Sequence, residues 1–161
     1  MYGMDNNGNF LNDVWSSNDG QTWTQVTGTA EFGVRSNFGS VLYNNEMWVT
    51  GGINNSGTLN DVWSSSDGMT WTQVTGTAAF SGRAAFGSLV YNNKMWVIGG
   101  ETLNFDLNDV WSSSDGATWT KVTCSPIFSA RAAFGSLVYN NRMWVIAGGN
   151  TSYLNDVWWG Q

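Results

Sequence analysis

The chain of 161 residues carries six Lys and Arg against 12 Asp and Glu, a net charge of −6, one Cys and no His. That balance excludes a nucleic-acid or anionic-membrane surface, which needs clustered cations, and the lack of His removes the commonest general base, metal ligand and near-neutral switch. The lone Cys124 excludes an internal disulfide, no apolar run approaches the roughly 20 residues of a membrane span, and Met1-Tyr2-Gly3-Met4-Asp5 has neither the basic start nor the apolar stretch of a secretion signal.

One segment is written repeatedly. Asp-Val-Trp begins at Asp13, Asp61, Asp109 and Asp156, in steps of 48, 48 and 47 residues. Arg35, Arg83 and Arg131 keep the 48-residue step, as do Tyr43, Tyr91 and Tyr139, and Trp48, Trp96 and Trp144. Self-similarity at this period marks one supersecondary unit copied and stacked. A residue present in every copy is most simply a part of the unit.

In chain order, residues 12–27 read as the two outer strands of a unit, Asp13-Val14-Trp15-Ser16 and the stretch around Trp23, joined by the Asp19-Gly20 turn. Complete units follow near 28–75 and 76–123, and the second is typical. A first strand ends in Leu89-Val90-Tyr91. Asn92-Asn93 makes a hairpin turn, because Asn tolerates positive φ. Lys94-Met95-Trp96-Val97-Ile98 is a second strand, apolar at consecutive positions and so expected to be covered on both faces. Gly99-Gly100 is expected to break it. After a variable loop, Leu107-Asn108-Asp109-Val110-Trp111-Ser112 is a third strand, Asp115-Gly116 a tight turn, and Thr118–Thr123 a polar outer strand. Residues 124–161 repeat the inner hairpin and a third strand, with Pro126 in a loop and Cys124 where the other copies have Gly28 and Gly76. No helical period appears. The fold class is all-β, and four-stranded antiparallel units in radial array make a β-propeller.

The pattern resembles the kelch repeat: an Arg ahead of the first strand (Arg35, Arg83, Arg131), a Gly pair ending the second (Gly51-Gly52, Gly99-Gly100, Gly148-Gly149), and a Trp in the fourth (Trp71, Trp119). Asp-Val-Trp stands where many kelch repeats carry a Tyr. The Ser-Ser-Asp-Gly-x-Thr-Trp stretch is also similar to the Asp-box hairpin of sialidase-type propellers, one residue short between Asp and Gly. Kelch propellers have six or seven blades, so the resemblance implies a ring larger than the roughly three blades of this chain. Two copies give six. The expectation is a homodimer with composite blades, each built from 124–161 of one copy and 1–27 of the other. Leu-Asn-Asp-Val-Trp occurs at both ends, so one copy of the third strand is surplus. The alternative is a piece of a longer propeller.

Strand alternation places the Asn-Asn and Asp-Gly turns on one face and the loops joining strands two to three and four to one on the other. The second face is where the copies differ: residues 53–58, 101–106 and 150–153. Loops on a rigid scaffold are the usual carriers of binding. Candidate ligand residues are Arg35, Arg83 and Arg131, a ring of bidentate donors, with Phe32, Phe80 and Phe128. Their structural alternative is bracing of loop carbonyls or of a nearby Asp, with the Phe rings as plugs between blades. Asp13, Asp61, Asp109 and Asp156 are spread once per unit and are expected to cap the loop between strands two and three. Glu101 and Asp106 supply two carboxylates where Ca²⁺ needs six to eight oxygens.

The expected function is a non-enzymatic scaffold that binds a protein or peptide and assembles with itself. The alternatives are a glycan-binding, lectin-like propeller and a designed or minimal repeat protein with no ligand. The resemblance also brings copper radical oxidases of the galactose oxidase type, but their His ligands and Tyr–Cys crosslink have no counterpart here. No catalytic residue, metal or cofactor is assigned.

Overall fold

The computed structural model describes residues 3–122 and 128–160; Cys124 and Pro126 lie outside them. β1 (Val14–Ser16) and β2 (Thr24–Thr27) form a two-stranded sheet. A four-stranded sheet follows, with β3 (Gly39–Tyr43), β4 (Glu46–Asn54), β5 (Gly57–Ser65) and β6 (Thr72–Thr75) in sequential order. The next repeats it with β7 (Gly87–Tyr91), β8 (Lys94–Glu101), β9 (Asp106–Ser113) and β10 (Thr120–Val122). The last is three-stranded, with β11 (Gly135–Tyr139), β12 (Arg142–Ile146) and β13 (Val157–Gly160). Every pairing is antiparallel. The two complete sheets are consistent with propeller blades.

The turns form as their residues require. Asn44 and Asn45 have φ of 49° and 61°, Asn92 and Asn93 48° and 53°, Asn140 and Asn141 49° and 55°. Two successive positive φ values define the tight hairpin turn whose twist matches the flanking strands. In the Asp-Gly turn, Asp115 Oδ1 accepts from the Ala117 and Thr118 amides at 2.9 and 2.7 Å, and Ser113 Oγ accepts from Gly116 at 2.8 Å. Bonds from the Thr70 and Thr118 amides hold Asp67 and Asp115 below the usual carboxylate range, and the Thr22 and Gln21 amides lower Asp19 to about 2.

The Gly pairs do not break the second strand as expected. β4 runs through Gly51-Gly52 to Asn54, and β8 through Gly99-Gly100 to Glu101, each with a bulge against the next strand. Positive φ there turns the strand (56° and 99°, then 52° and 93°) without ending its pairing. The loop between strands two and three is correspondingly shorter than expected; in the first full sheet it is the turn between Asn54 and Gly57. The counterpart of Gly51 and Gly99 is Ala147, at φ 56°, rather than a residue of Gly148-Gly149. An L-residue with a Cβ pays roughly 1–2 kcal/mol in this region. Ala147→Gly is therefore expected to stabilise the chain by about 1 kcal/mol, read from urea unfolding.

The sheets stack face to face in chain order. Tyr43, Trp48 and Val62 of one full sheet pack on Met95, Val97 and Trp119 of the next, all buried. Leu89, Tyr91, Ile98 and Val110 pack on Val145 and Phe128. Phe80 meets Trp119 edge to face at 5.1 Å, and Phe32 meets Trp71 likewise at 4.9 Å. The inner strands lie side by side, joined by the amides of Ala85 and Ala133 donating to the carbonyls of Asn37 and Ala85, both at 2.9 Å. Small residues permit that approach: a Cβ on Gly39 would lie 2.6 Å from the Phe86 ring. The Trp residues do not all serve the core, since Trp15, Trp23 and Trp159 are about half exposed on the incomplete sheets.

Candidate functional site

The three arginines precede the inner strands and point inward. Arg83 and Arg131 are 0% exposed and Arg35 2%. Arg83 Nη1 donates to the Gly99 carbonyl at 2.9 Å and to Asp109 Oδ1 at 2.7 Å, and Nη2 to Asp109 Oδ2 at 3.1 Å and Ser81 Oγ at 3.3 Å. Its Nε donates to the Ser81 carbonyl at 3.1 Å. Arg35 does the same with Gly51, Asp61 and the Phe32 carbonyl. Arg131 engages Ala147, Asp156 and Ser129. Each guanidinium also lies over the ring of its Phe neighbour, at 5.6, 5.4 and 5.7 Å for Phe32, Phe80 and Phe128. A planar five-donor group thus ties the strand-two bulge, the third strand and the preceding loop into one unit.

The aspartates correct their expected role. Asp61, Asp109 and Asp156 take the guanidiniums instead of capping a loop, and each also accepts from the indole N–H two residues on, at 2.8, 2.8 and 2.7 Å. Burial acts to raise the Asp109 carboxyl, but hydrogen bonds from Arg83 and Trp111 outweigh it and hold it below the usual range. The Arg131 guanidinium first, then the Trp158 indole, depress Asp156 strongly. Asp13 has the indole of Trp15 at 2.7 Å, while the three arginines bond to the other aspartates.

With the guanidiniums spent inside the protein, the groups presented on this face come from the variable loops that they hold. Thr102 closes the loop after β8: its amide donates to the Phe105 carbonyl at 2.9 Å and its Oγ1 accepts from Asn104 and Phe105 at 3.2 and 3.1 Å. This fold-back leaves Leu103 and Phe105 exposed, and Tyr153 from the loop before β13 is fully exposed. Beside Tyr153 lies a cleft of about 430 Å³ lined by Glu101, Asp106, Ala132, Gly149, Asn150 and Leu154 among others. Burial, then the neighbouring Asp106 charge, pushes the Glu101 carboxyl up. The face is acidic because the remaining cations lie elsewhere: Lys94 and Arg142 border the Asn-Asn turns at the opposite end, and Lys121 lies over the Trp111 ring on β10. Among the described residues no cluster of three or more carboxylate or thiol ligands is placed to hold a metal.

Residues 53–58, 101–106 and 150–153 were legible as the differing loops. The apolar tips Leu103, Phe105 and Tyr153 were not singled out; the available signal was large apolar side chains in the segments the repeat does not explain.

Comparison with known proteins gives a family model, the KLHDC2/KLHL20/DRC7 Kelch-repeats domain, that matches residues 2–149. No curated protein matches the chain.

Proposed function

From the premise that this chain belongs to the kelch-repeat family, whose domains are in general non-enzymatic binding scaffolds, we propose that it is a β-propeller scaffold that closes its ring with a second copy and binds a protein or peptide on the variable-loop face. The observation that carries the binding reading is the set of exposed apolar tips on the variable loops, Leu103, Phe105 and Tyr153, with Tyr153 lining an acidic cleft. Exposed apolar side chains clustered beside charge mark interaction surfaces. The chemistry fits a segment bearing Lys or Arg next to an apolar side chain: the cation meets Glu101 and Asp106, and the apolar group covers the loop tips.

Selection from a displayed random-peptide library tests this, followed by fluorescence polarisation with the peptides recovered. Enrichment of basic–apolar peptides is expected. Phe105→Ser and Tyr153→Ser should weaken them tenfold or more, about 1.4 kcal/mol, while Lys94→Ser at the opposite face leaves affinity unchanged. Binding should weaken as pH falls through the raised range of Glu101, because protonation removes the charge that the cation meets. A library that yields no such peptide, or peptides indifferent to both loop variants, overturns the loop-face site.

A further inference from the structure

We infer that the sheet of β1 and β2 is completed by a second copy of this chain: the hairpin β11–β12 of one copy seats beside β1–β2 of the other, with β1 in place of β13 along β12 and Asp13 in place of Asp156 on Arg131. The inference rests on the reading above that copies assemble, and specifies how.

The two incomplete sheets lack complementary parts. Where β8 is covered by the preceding sheet, Met95 is 2% exposed; its counterpart Met47 is 36% exposed. Met47 borders an apolar cavity of about 450 Å³, with Val14, Phe32, Phe38, Val49 and Trp71. That cavity occupies the place beside β3–β4 where an inner hairpin sits in the next interface. At the other end, the inner hairpin β11–β12 has a bare face. Tyr139 is 62% exposed, whereas Tyr43 and Tyr91 are 4% and 7%. Tyr43 and Tyr91 donate their hydroxyls to the carbonyls of Asn93 and Asn141 in the following sheet, both at 2.8 Å. The matching acceptor for Tyr139 is the Asn45 carbonyl of a second copy.

The outer strands match in the same way. Trp48 lies so close over Gly116 of the following sheet that a Cβ there would be 2.1 Å from its ring. Gly20 is the same turn position, with φ 73° against 74°, and a Cβ there would meet nothing within 4 Å. Trp96, the counterpart of Trp48, has no such turn beneath it, because the sheet that follows it stops at β13 among the described residues. Among the described residues Trp23 lacks the Phe that Trp71 and Trp119 meet, and Phe128 lacks the Trp. Placing β1–β2 of one copy on β11–β12 of the other supplies all of these together.

The competition between β1 and β13 is decided by side-chain size. Residue 159 falls at the position of Ser16, Ser64 and Ser112. Ser64 and Ser112 are buried between sheets, whereas Trp159 lies exposed against Trp144, ring centroids 5.8 Å apart. A Trp does not fit where the stacked sheets hold Ser. β1 carries the Ser, and its own Asp-Gly turn is already bonded through Ser17 and Asp19. Residues 155–160 leave as β1 enters, and residues 149–154, which hold the same repeat position as 4–10, stay on the variable-loop face in their place.

Light scattering across a dilution series, on wild type, Asp13→Asn, Asp156→Asn and Leu137→Asp, tests the inference. Twice the chain mass is expected for wild type, with association weakened tenfold or more by Asp13→Asn, unchanged or tightened by Asp156→Asn, and abolished by Leu137→Asp on the bare face of β11. Far-UV circular dichroism of Leu137→Asp should match wild type. A wild-type monomer at 100 µM, a concentration chosen on the order of ~10² times a micromolar Kd, overturns both assembly and exchange. A dimer indifferent to Asp13→Asn but weakened by Asp156→Asn keeps assembly and overturns the exchange.

Discussion

Arg83→Met is expected to lower the unfolding free energy by about 3–5 kcal/mol, among the largest effects available to a single substitution in this chain. The guanidinium is fully buried, and it holds Asp109 by two bonds, the Gly99 carbonyl by one and Ser81 by two. Removing it leaves a desolvated carboxylate and a bulge carbonyl with no donor, the condition that makes breaking a buried pair costly. At about 2–4 °C per kcal/mol for a chain of this size, the midpoint of thermal unfolding should fall by roughly 10 °C. Arg83→Met with Asp109→Leu should cost clearly less than the two single changes added, because the second removes the stranded charge. Arg131→Met should cost less than Arg83→Met, since the Asp156 side chain is 40% exposed against 16% for Asp109 and water solvates it when the partner goes. Equal, near-zero losses at both positions would contradict the bracing geometry.

The second large effect separates identical residues by their neighbours. Trp119→Ala is expected to cost about 3–5 kcal/mol, the range for emptying a buried Trp site. Trp119 fills the interface between the two full sheets, edge-on to Phe80, with its indole donating to the Gly116 carbonyl at 2.9 Å. Trp23 holds the same repeat position but stands about half exposed, its indole reaching Gly20 at a longer 3.3 Å. In dilute, monomeric protein Trp23→Ala should therefore stay within about 0.5 kcal/mol of wild type. At concentrations where copies associate it should instead weaken association, because Trp23 then meets Phe128 of the second copy. Urea unfolding at two protein concentrations reads both effects. A loss at Trp23 as large as at Trp119 in the dilute sample would mean that β1–β2 is already closed within one chain.

The local structure was open to reading because its determinants are local. Asn-Asn makes a tight turn through φ preferences carried by two residues, and Asp-Gly after Ser-Ser-Ser or Ser-Ser-Asn makes its turn through side chain to backbone bonds within three residues. The 48-residue period then extended each local reading to every copy. The Gly pair was misjudged for an equally local reason: positive φ marks the end of a strand and a bulge alike, and only the pairing with β5 and β9 distinguishes them.

By itself the sequence determined the all-β class, the four-stranded unit, its turns and the face on which the copies differ, since period and turn chemistry are written in consecutive residues. Tertiary structure alone decided what the repeated charges do and which aromatic rings are covered. Arg83 and Asp109 are 26 residues apart and meet only after the sheet forms. Trp23, Trp71 and Trp119 differ in burial because burial belongs to the neighbouring sheet, and no residue's own identity records whether that neighbour is there.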